Sequence, residues 1–438
     1  MTTANVIDVQ QFINQHRFSR TQIVTLLLCF LIVAIDGFDT ASIGFIAPAI
    51  REAWGLDPAH LAPVFGAGMF GLMLGSLIFG PLADRIGRKA TLMICVAFFG
   101  IASLASAWSP SLQVLVVLRF LTGLGLGGAM PNAITLSSEY APDKHRSVLV
   151  TTMFCGFTLG SALGGIAAAH IVAHFGWEAV LLIGGIMPLA ILPLLAFALP
   201  ESARYLVIRG GATARVTAIL QRIAPDADLR NASYAVTEKP ASGSPLRQLF
   251  DPQLRRGTLV LWLMFFMCML IIYLLSSWLP TLIKSTGRSL EDASLVTAMF
   301  QVGGTVGAIA LGRLMDRFNA QRVLAGAYLV GALFIALIGH SVGSTWLLVL
   351  AVFVAGVCAS GGQVGANALA AGFYPTSNRA TGVSWALGIG RIGSILGSMA
   401  GGFMLTAGWS LATLFEVVAI PAVIAAVCVL FMQKRAVH

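Results

Sequence analysis

Charge is what this chain has least of. Asp, Glu, Lys and Arg make up 10% of its 438 residues, against about 25% in an ordinary soluble domain, while 57% are hydrophobic. That balance excludes a soluble globular enzyme. No Gly-Lys pair occurs anywhere, so there is no phosphate loop of the GxxxxGK[ST] type and no support for a nucleotide-driven pump. No paired His/Glu metal motif and no nucleophile elbow occur either, which argues against a polytopic enzyme or membrane sensor. The six cysteines (Cys29, Cys95, Cys155, Cys268, Cys358, Cys428) stand singly in apolar stretches without a CxxC. They read as small buried hydrophobes, not disulfides or metal ligands. Neither a metal nor an organic cofactor is expected.

Long charge-free runs take the place of charge: 58–83, 90–118, 147–177, 179–200, 257–283 and 323–378. Each can cross a hydrocarbon core of about 30 Å, which takes roughly 20 helical residues. The last run holds two crossings divided at the polar turn His340 to Ser344. Further runs with at most two charges each, at 21–50, 112–138, 293–312, 380–404 and 409–431, bring the expectation to twelve spans. In lipid the backbone must close its own hydrogen bonds, so the spans are helices and the fold class is all-α integral membrane. Glycine, at 47 residues, recurs at four-residue spacing, as in Gly156/Gly160 and Gly393/Gly397, the small-residue stripe that lets helices approach closely.

The first twenty residues lack an apolar stretch with a cleavage site, so no removable signal peptide is expected. With the N-terminus cytoplasmic, 22 of the 27 Lys and Arg fall on the cytoplasmic side, three (Arg51, Lys284, Arg288) on the other, and Arg119 and Arg391 within spans. By the positive-inside rule both termini are cytoplasmic. The net charge of +9 is thus a topology signal, and no nucleic-acid partner is needed to explain it. The connection 200–256 divides an N-terminal six-helix bundle (1–199) from a C-terminal one (257–438). Its stretch Ala212 to Ile223 has helical apolar spacing, and Pro225 to Pro245 reads as a flexible polar linker. The halves echo one another: Pro48 recurs as Pro280, and Gly80, Leu82, Asp84 and Arg85 as Gly312, Leu314, Asp316 and Arg317, at an offset of 232. Gly160 and Gly164 recur as Gly393 and Gly397 at 233. Two parallel repeats meeting at the midplane suit alternating access.

The turn expected after the second span, Gly80-Pro81-Leu82-Ala83-Asp84-Arg85-Ile86-Gly87-Arg88-Lys89, resembles the signature of the major facilitator superfamily. The resemblance extends over the chain and implies twelve spans in two pseudo-symmetric bundles. It also implies a cytoplasmic gate at Gly80, Asp84, Arg85, Arg88 and Lys89, echoed by Asp316 and Arg317. Leu199-Pro200-Glu201-Ser202-Ala203-Arg204 resembles a second signature of solute-uptake members, and Arg119 with the glycine-rich run after it resembles a motif tied to proton coupling. The fifth-span pattern has Ser161 where proton antiporters of the superfamily carry proline, which favours uptake over export.

An intramembrane Arg costs about 2.5 to 3.5 kcal/mol on insertion scales, so Arg119 needs a partner or a wet cavity. Asp36 and Asp39, three residues apart on one face of the first span, are the candidate partners. They are the expected proton-coupling groups together with Arg119, the alternative being a permanent structural ion pair. Asp36-Gly37-Phe38-Asp39 and the run Thr122 to Tyr140 resemble the aromatic acid:proton symporters. That resemblance implies import of hydroxybenzoate-type carboxylates across the bacterial inner membrane, driven by the proton gradient in a monomer. The alternative is a proton-coupled exporter, or an importer of another small organic acid. A carboxylate ligand needs a positive group, for which Arg391 between glycines is the candidate; the alternative is a structural pair with Glu416. Tyr273, Trp278, Gln363, Asn367 and Trp385 are candidate substrate contacts, and His170, His174 and His340 read as interfacial.

Overall fold

The computed structural model describes residues 6–210, 212–229, 232–236, 249–374 and 379–432. After the arm helix α1 (Val9–Gln15) come α2 (Arg20–Trp54), α3 (Pro58–Ile86), α4 (Arg88–Ser106), α5 (Leu112–Tyr140), α6 (Arg146–Phe175) and α7 (Trp177–Ala198). The short helices α8 (Ala203–Arg209) and α9 (Thr213–Ile223) lead into α10 (Arg255–Lys284), α11 (Leu290–Arg317), α12 (Ala320–His340), α13 (Thr345–Phe373), α14 (Arg379–Thr406) and α15 (Leu411–Phe431). Twelve of these have the length to span a bilayer, from 19 residues in α4 to 35 in α2. Eleven are apolar enough as well. The twelfth, α14, has 28 residues, but Arg391 and many Gly and Ser dilute its apolar character. Side-chain caps begin six of the spans: Ser19 closes a reciprocal capping box with Gln22, and Ser111, Ser289, Asn319, Ser344 and Ser410 each accept a first-turn N–H.

The two sets of six pack by the same scheme. In the first, α2 lies on α6, α3 on α5 and α4 on α7; in the second, α10 lies on α14, α11 on α13 and α12 on α15. The glycine repeat is the reason for the first pairing in each set. A side chain at Gly160 would collide with the carbonyl of Ala34 on α2, and one at Gly393 with the carbonyl of Phe266 on α10. Across the halves α6 meets α11, α3 meets α14 and α2 meets α10. The largest apolar core straddles this seam, with Phe45, Ile46 and Phe65 from the first half and Ile271, Trp278 and Phe300 from the second.

Both ends of the described chain and the central connection share one face, here called the linker face; the other is the far face. At the far face the halves are joined. Lys284 Nζ contacts Glu52 Oε1 at 2.6 Å, His170 Nε2 lies 3.8 Å from Glu291 Oε1, and the rings of Phe65 and Trp278 meet edge-on at 5.1 Å. Midway, the hydroxyls of Thr158 and Thr305 bond at 2.6 Å. Below that level no hydrogen bond or ion pair bridges the halves among the described residues.

Two expectations need correction. The stretch Gly80 to Lys89 is almost wholly helical: α3 continues to Ile86 and α4 begins at Arg88, so Gly87 alone, at φ +104°, makes the turn. Gly80 is mid-helix with open space beside it. The polar linker is also less loose than its composition suggests. β2 (Ser233–Ala235) pairs in parallel with β1 (Val6–Asp8), and Tyr234 Oη bonds Thr217 Oγ1 at 2.7 Å. Three-residue strands carry no readable periodicity. Residues 237–248 of that linker lie outside the described residues.

Candidate functional site

Helix α2 carries the acidic centre. Asp39 is fully buried; its Oδ2 accepts from Arg119 Nη2 of α5 at 3.1 Å, and its Oδ1 accepts from Ser103 Oγ of α4 at 2.5 Å. Arg119 is only 3% exposed. One turn earlier, buried Asp36 accepts from Thr40 Oγ1 at 3.1 Å. Arg391 of α14 and Asp39 both lie within Coulomb range of Asp36. The two acids therefore have different cationic neighbours: Asp39 is in direct contact with the first-half arginine, and Asp36 feels the second-half one. Gly37 between them admits the α6 backbone at Phe157, whose carbonyl a side chain would strike. Ser161 Oγ then donates to the Gly37 carbonyl at 2.9 Å.

Beside this centre a cavity opens between the halves, its walls enclosing about 700 Å³ of space, open solvent included. The first half contributes Thr40, Phe65, Met69, Arg119, Phe157 and Ser161 among others; the second contributes Ile272, Tyr273, Ser276, Ser277, Gln301 and Ser360. Arg119 is the one charged side chain among these described lining residues. Its Nε and Nη1 are buried without a protein partner. A buried guanidinium with two unused donors is a costly arrangement unless a ligand or water meets it.

The remaining candidates fall in varied places. Tyr273 lines the cavity, and Arg391 sits behind it, donating from Nη1 to Tyr273 Oη at 3.4 Å. Glu416 is engaged elsewhere, 3.0 Å from His340 Nε2. Gln363 bonds Asn367 at 3.4 Å, and neither is among the cavity-lining residues. Trp385 stacks on Trp262 with ring centroids 5.8 Å apart. Trp278 needs correction: it is fully buried, its indole N–H donates to the Ser398 carbonyl at 2.6 Å, and its ring faces Phe65 in the closed seam. Sequence reasoning missed Gln301, Ser276, Thr40 and the cavity role of Ser161. A glutamine within an apolar span was the available signal.

At the linker face the two signature stretches meet. Glu201 Oε1 accepts from the backbone N–H of Arg88 at 2.9 Å and of Lys89 at 3.0 Å, capping α4 with a negative charge. A side chain at Gly87 would collide with this carboxylate. Arg88 Nη1 pairs with Asp84 at 2.6 Å, and its Nε lies 3.6 Å from Glu139 Oε1. Tyr205 Oη donates to the Arg85 carbonyl at 3.0 Å, and Lys89 Nζ to that of Ala196 at 2.7 Å. Asp84 is 70% exposed on its side chain. Asp316 and Arg317 are exposed at the matching end of α11. None of these charges reaches the opposite half in this conformation.

The profile of the Major Facilitator Superfamily matches residues 29–289 and 261–438. The chain belongs to that superfamily. It is a multi-span membrane transporter and not an enzyme. It is 49% identical to the 4-hydroxybenzoate transporter PcaK of Pseudomonas aeruginosa over 97% of this chain and 95% of that one. A gallate transporter of Pseudomonas putida is 48% identical over 97% of this chain and 94% of its own. The benzoate transport protein of Acinetobacter baylyi is 32% identical over 99% and 94%. Among solved structures, the inward-open xylose transporter XylE of E. coli superposes with a TM-score of 0.75 at 18% identity, covering 95% of this transporter and 97% of that chain, a likeness of fold alone.

Proposed function

We propose that this transporter imports aromatic carboxylates of the hydroxybenzoate type together with protons. The observation that carries the reading is the cavity between the halves, whose one charged residue among the described lining is Arg119, half-engaged by a buried carboxylate. The printed functions of the 4-hydroxybenzoate and gallate transporters agree with such a ligand. The basic linker face is the cytoplasmic one by the positive-inside rule, with the membrane being the bacterial inner membrane. The conformation described is then the one that releases cargo inward.

The steps follow from charge balance. Facing outward, Asp39 takes a proton, and Arg119 loses its internal counter-charge. The cargo carboxylate replaces it on Nη2, which with the unpartnered Nη1 or Nε makes a planar fork suited to a carboxylate. Asp36 and Arg391 form the second charged pair, set across the halves so that rocking changes their separation. After the halves exchange access, Asp39 releases its proton to the cytoplasm, re-engages Arg119 and expels the anion. The linker-face charges at Asp84, Arg88, Asp316 and Arg317 act as the gate that closes in the opposite state. No ATP or other cofactor enters, and one chain contains the whole pathway, so a monomer suffices.

Proteoliposome uptake of a panel of benzoates and phenylpropanoates, with and without an acid-outside gradient, tests this. Concentrative uptake only with the gradient is expected. Uptake of none of the panel, or accumulation indifferent to the gradient, refutes it.

A further inference from the structure

The cavity has a second polar pole that the charge mechanism leaves unused. Gln301 of α11 is only 4% exposed, yet its side chain lines the cavity. Its Nε2 donates to Ser276 Oγ of α10 at 3.1 Å. That bond uses one of the amide's two N–H donors; the other and the carbonyl oxygen have no partner among the described residues, and the Ser276 hydroxyl proton remains free to donate. Arg119 comes from the first half and this pair from the second. The same lining holds the apolar side chains Phe65, Met69, Phe157 and Ile272, against which an aromatic ring can pack.

We infer that Gln301 and Ser276 form a ring-hydroxyl subsite, so that a hydroxylated aromatic acid spans the two halves with its carboxylate on Arg119 and its hydroxyl on the carboxamide. The inference rests on the aromatic-acid reading above and deepens it. A phenolic hydroxyl both donates and accepts, and the carboxamide offers one group of each kind. An unsubstituted benzoate leaves the buried amide unpaired, and sites built to bond a hydroxyl reject analogues that lack it. Such a ligand also links the bundles through its own length, which favours their joint movement only when the cavity is filled by a molecule with both poles.

The test compares 4-hydroxybenzoate with benzoate by calorimetry on the purified full-length protein. The wild type is expected to prefer the hydroxylated acid by about three- to tenfold or more, the range of one neutral hydrogen bond. Gln301→Leu, close in volume, should bring the preference near unity by weakening 4-hydroxybenzoate while sparing benzoate. Ser276→Ala should reduce the preference in part, and it decides the matter if Gln301→Leu fails to fold. An unchanged preference in the variant that folds overturns the subsite, as does a wild type that binds both acids equally. A wild type that binds neither acid fails the parent reading instead.

Discussion

Replacing Asp39 with asparagine is the sharpest probe of the proposed coupling. In the proposed cycle the carboxylate competes with cargo for Arg119, which it contacts at 3.1 Å. Charges about 4 Å apart attract by about 4 kcal/mol at an effective dielectric of 20, enough to keep the guanidinium occupied until Asp39 is protonated. For one proton taken up per anion bound, the apparent Kd for 4-hydroxybenzoate rises by up to about tenfold per pH unit. The sign follows from stoichiometry: the loaded form carries a proton that the empty form lacks, so raising the pH opposes loading. The carboxamide of Asp39→Asn would mimic the protonated acid: its oxygen can accept from Arg119 Nη2 as Oδ2 does, and its NH2 can donate to Ser103 Oγ, which turns acceptor, so the fold is preserved. The variant should bind with a pH-independent affinity equal to or tighter than the wild type's acid limit, exchange cargo across the bilayer, and fail to accumulate it against a gradient. Calorimetric titrations over a pH series, paired with vesicle counterflow, measure all three. A variant that keeps the wild-type pH slope would refute the role given to Asp39.

Three further outcomes follow from the geometry. Arg391→Ala should weaken aromatic-acid binding through loss of the Tyr273 contact and of the field at Asp36; an unchanged calorimetric Kd would remove Arg391 from the site. The Glu52–Lys284 pair joins the halves at the far face, but its side chains are 67% and 21% exposed, so it is worth about 0.2–1 kcal/mol. Lys284→Gln should therefore raise the far-open to far-closed ratio by no more than about fivefold, with the double exchange Glu52→Lys and Lys284→Glu restoring it; spin-label distances between the ends of α2 and α10 report the ratio. Glu201→Gln removes the charged cap from α4, which a charge at a helix N-terminus supports by about 0.3–1 kcal/mol. A modest fall in melting temperature in detergent is expected, and an unaltered melting curve would count against that cap.

The spans were legible because a crossing helix needs only length and apolarity, both properties of contiguous sequence. Their limits failed at Gly80 to Lys89, where a single glycine of positive φ replaces a longer turn. Asp36, Asp39 and Arg119 stood out as charges in an apolar run, since the cost of burying them has to be met by something. Which acid holds Arg119 did not, because a spacing of three puts both on the same face of α2. The choice is made by where α4 and α5 place Ser103 and Arg119. Trp278 shows the opposite failure: an aromatic residue in a span near the cavity faces the sealed seam, a matter of helix rotation that composition cannot express. Gln301 passed unnoticed for the same reason, as an uncharged side chain whose importance lies in facing Ser276.

By itself, then, the sequence determined a twelve-helix membrane protein with a doubled plan, a basic face and a few charges held in the apolar interior. Hydropathy, internal offset and the cost of burying charge are local or additive quantities that one strand of text can carry. Only the tertiary structure decided which charges touch, which face of each helix borders the cavity, and that ion pairs join the halves at the far face. Those depend on helix rotation and approach, set jointly by many weak contacts between residues far apart in the chain.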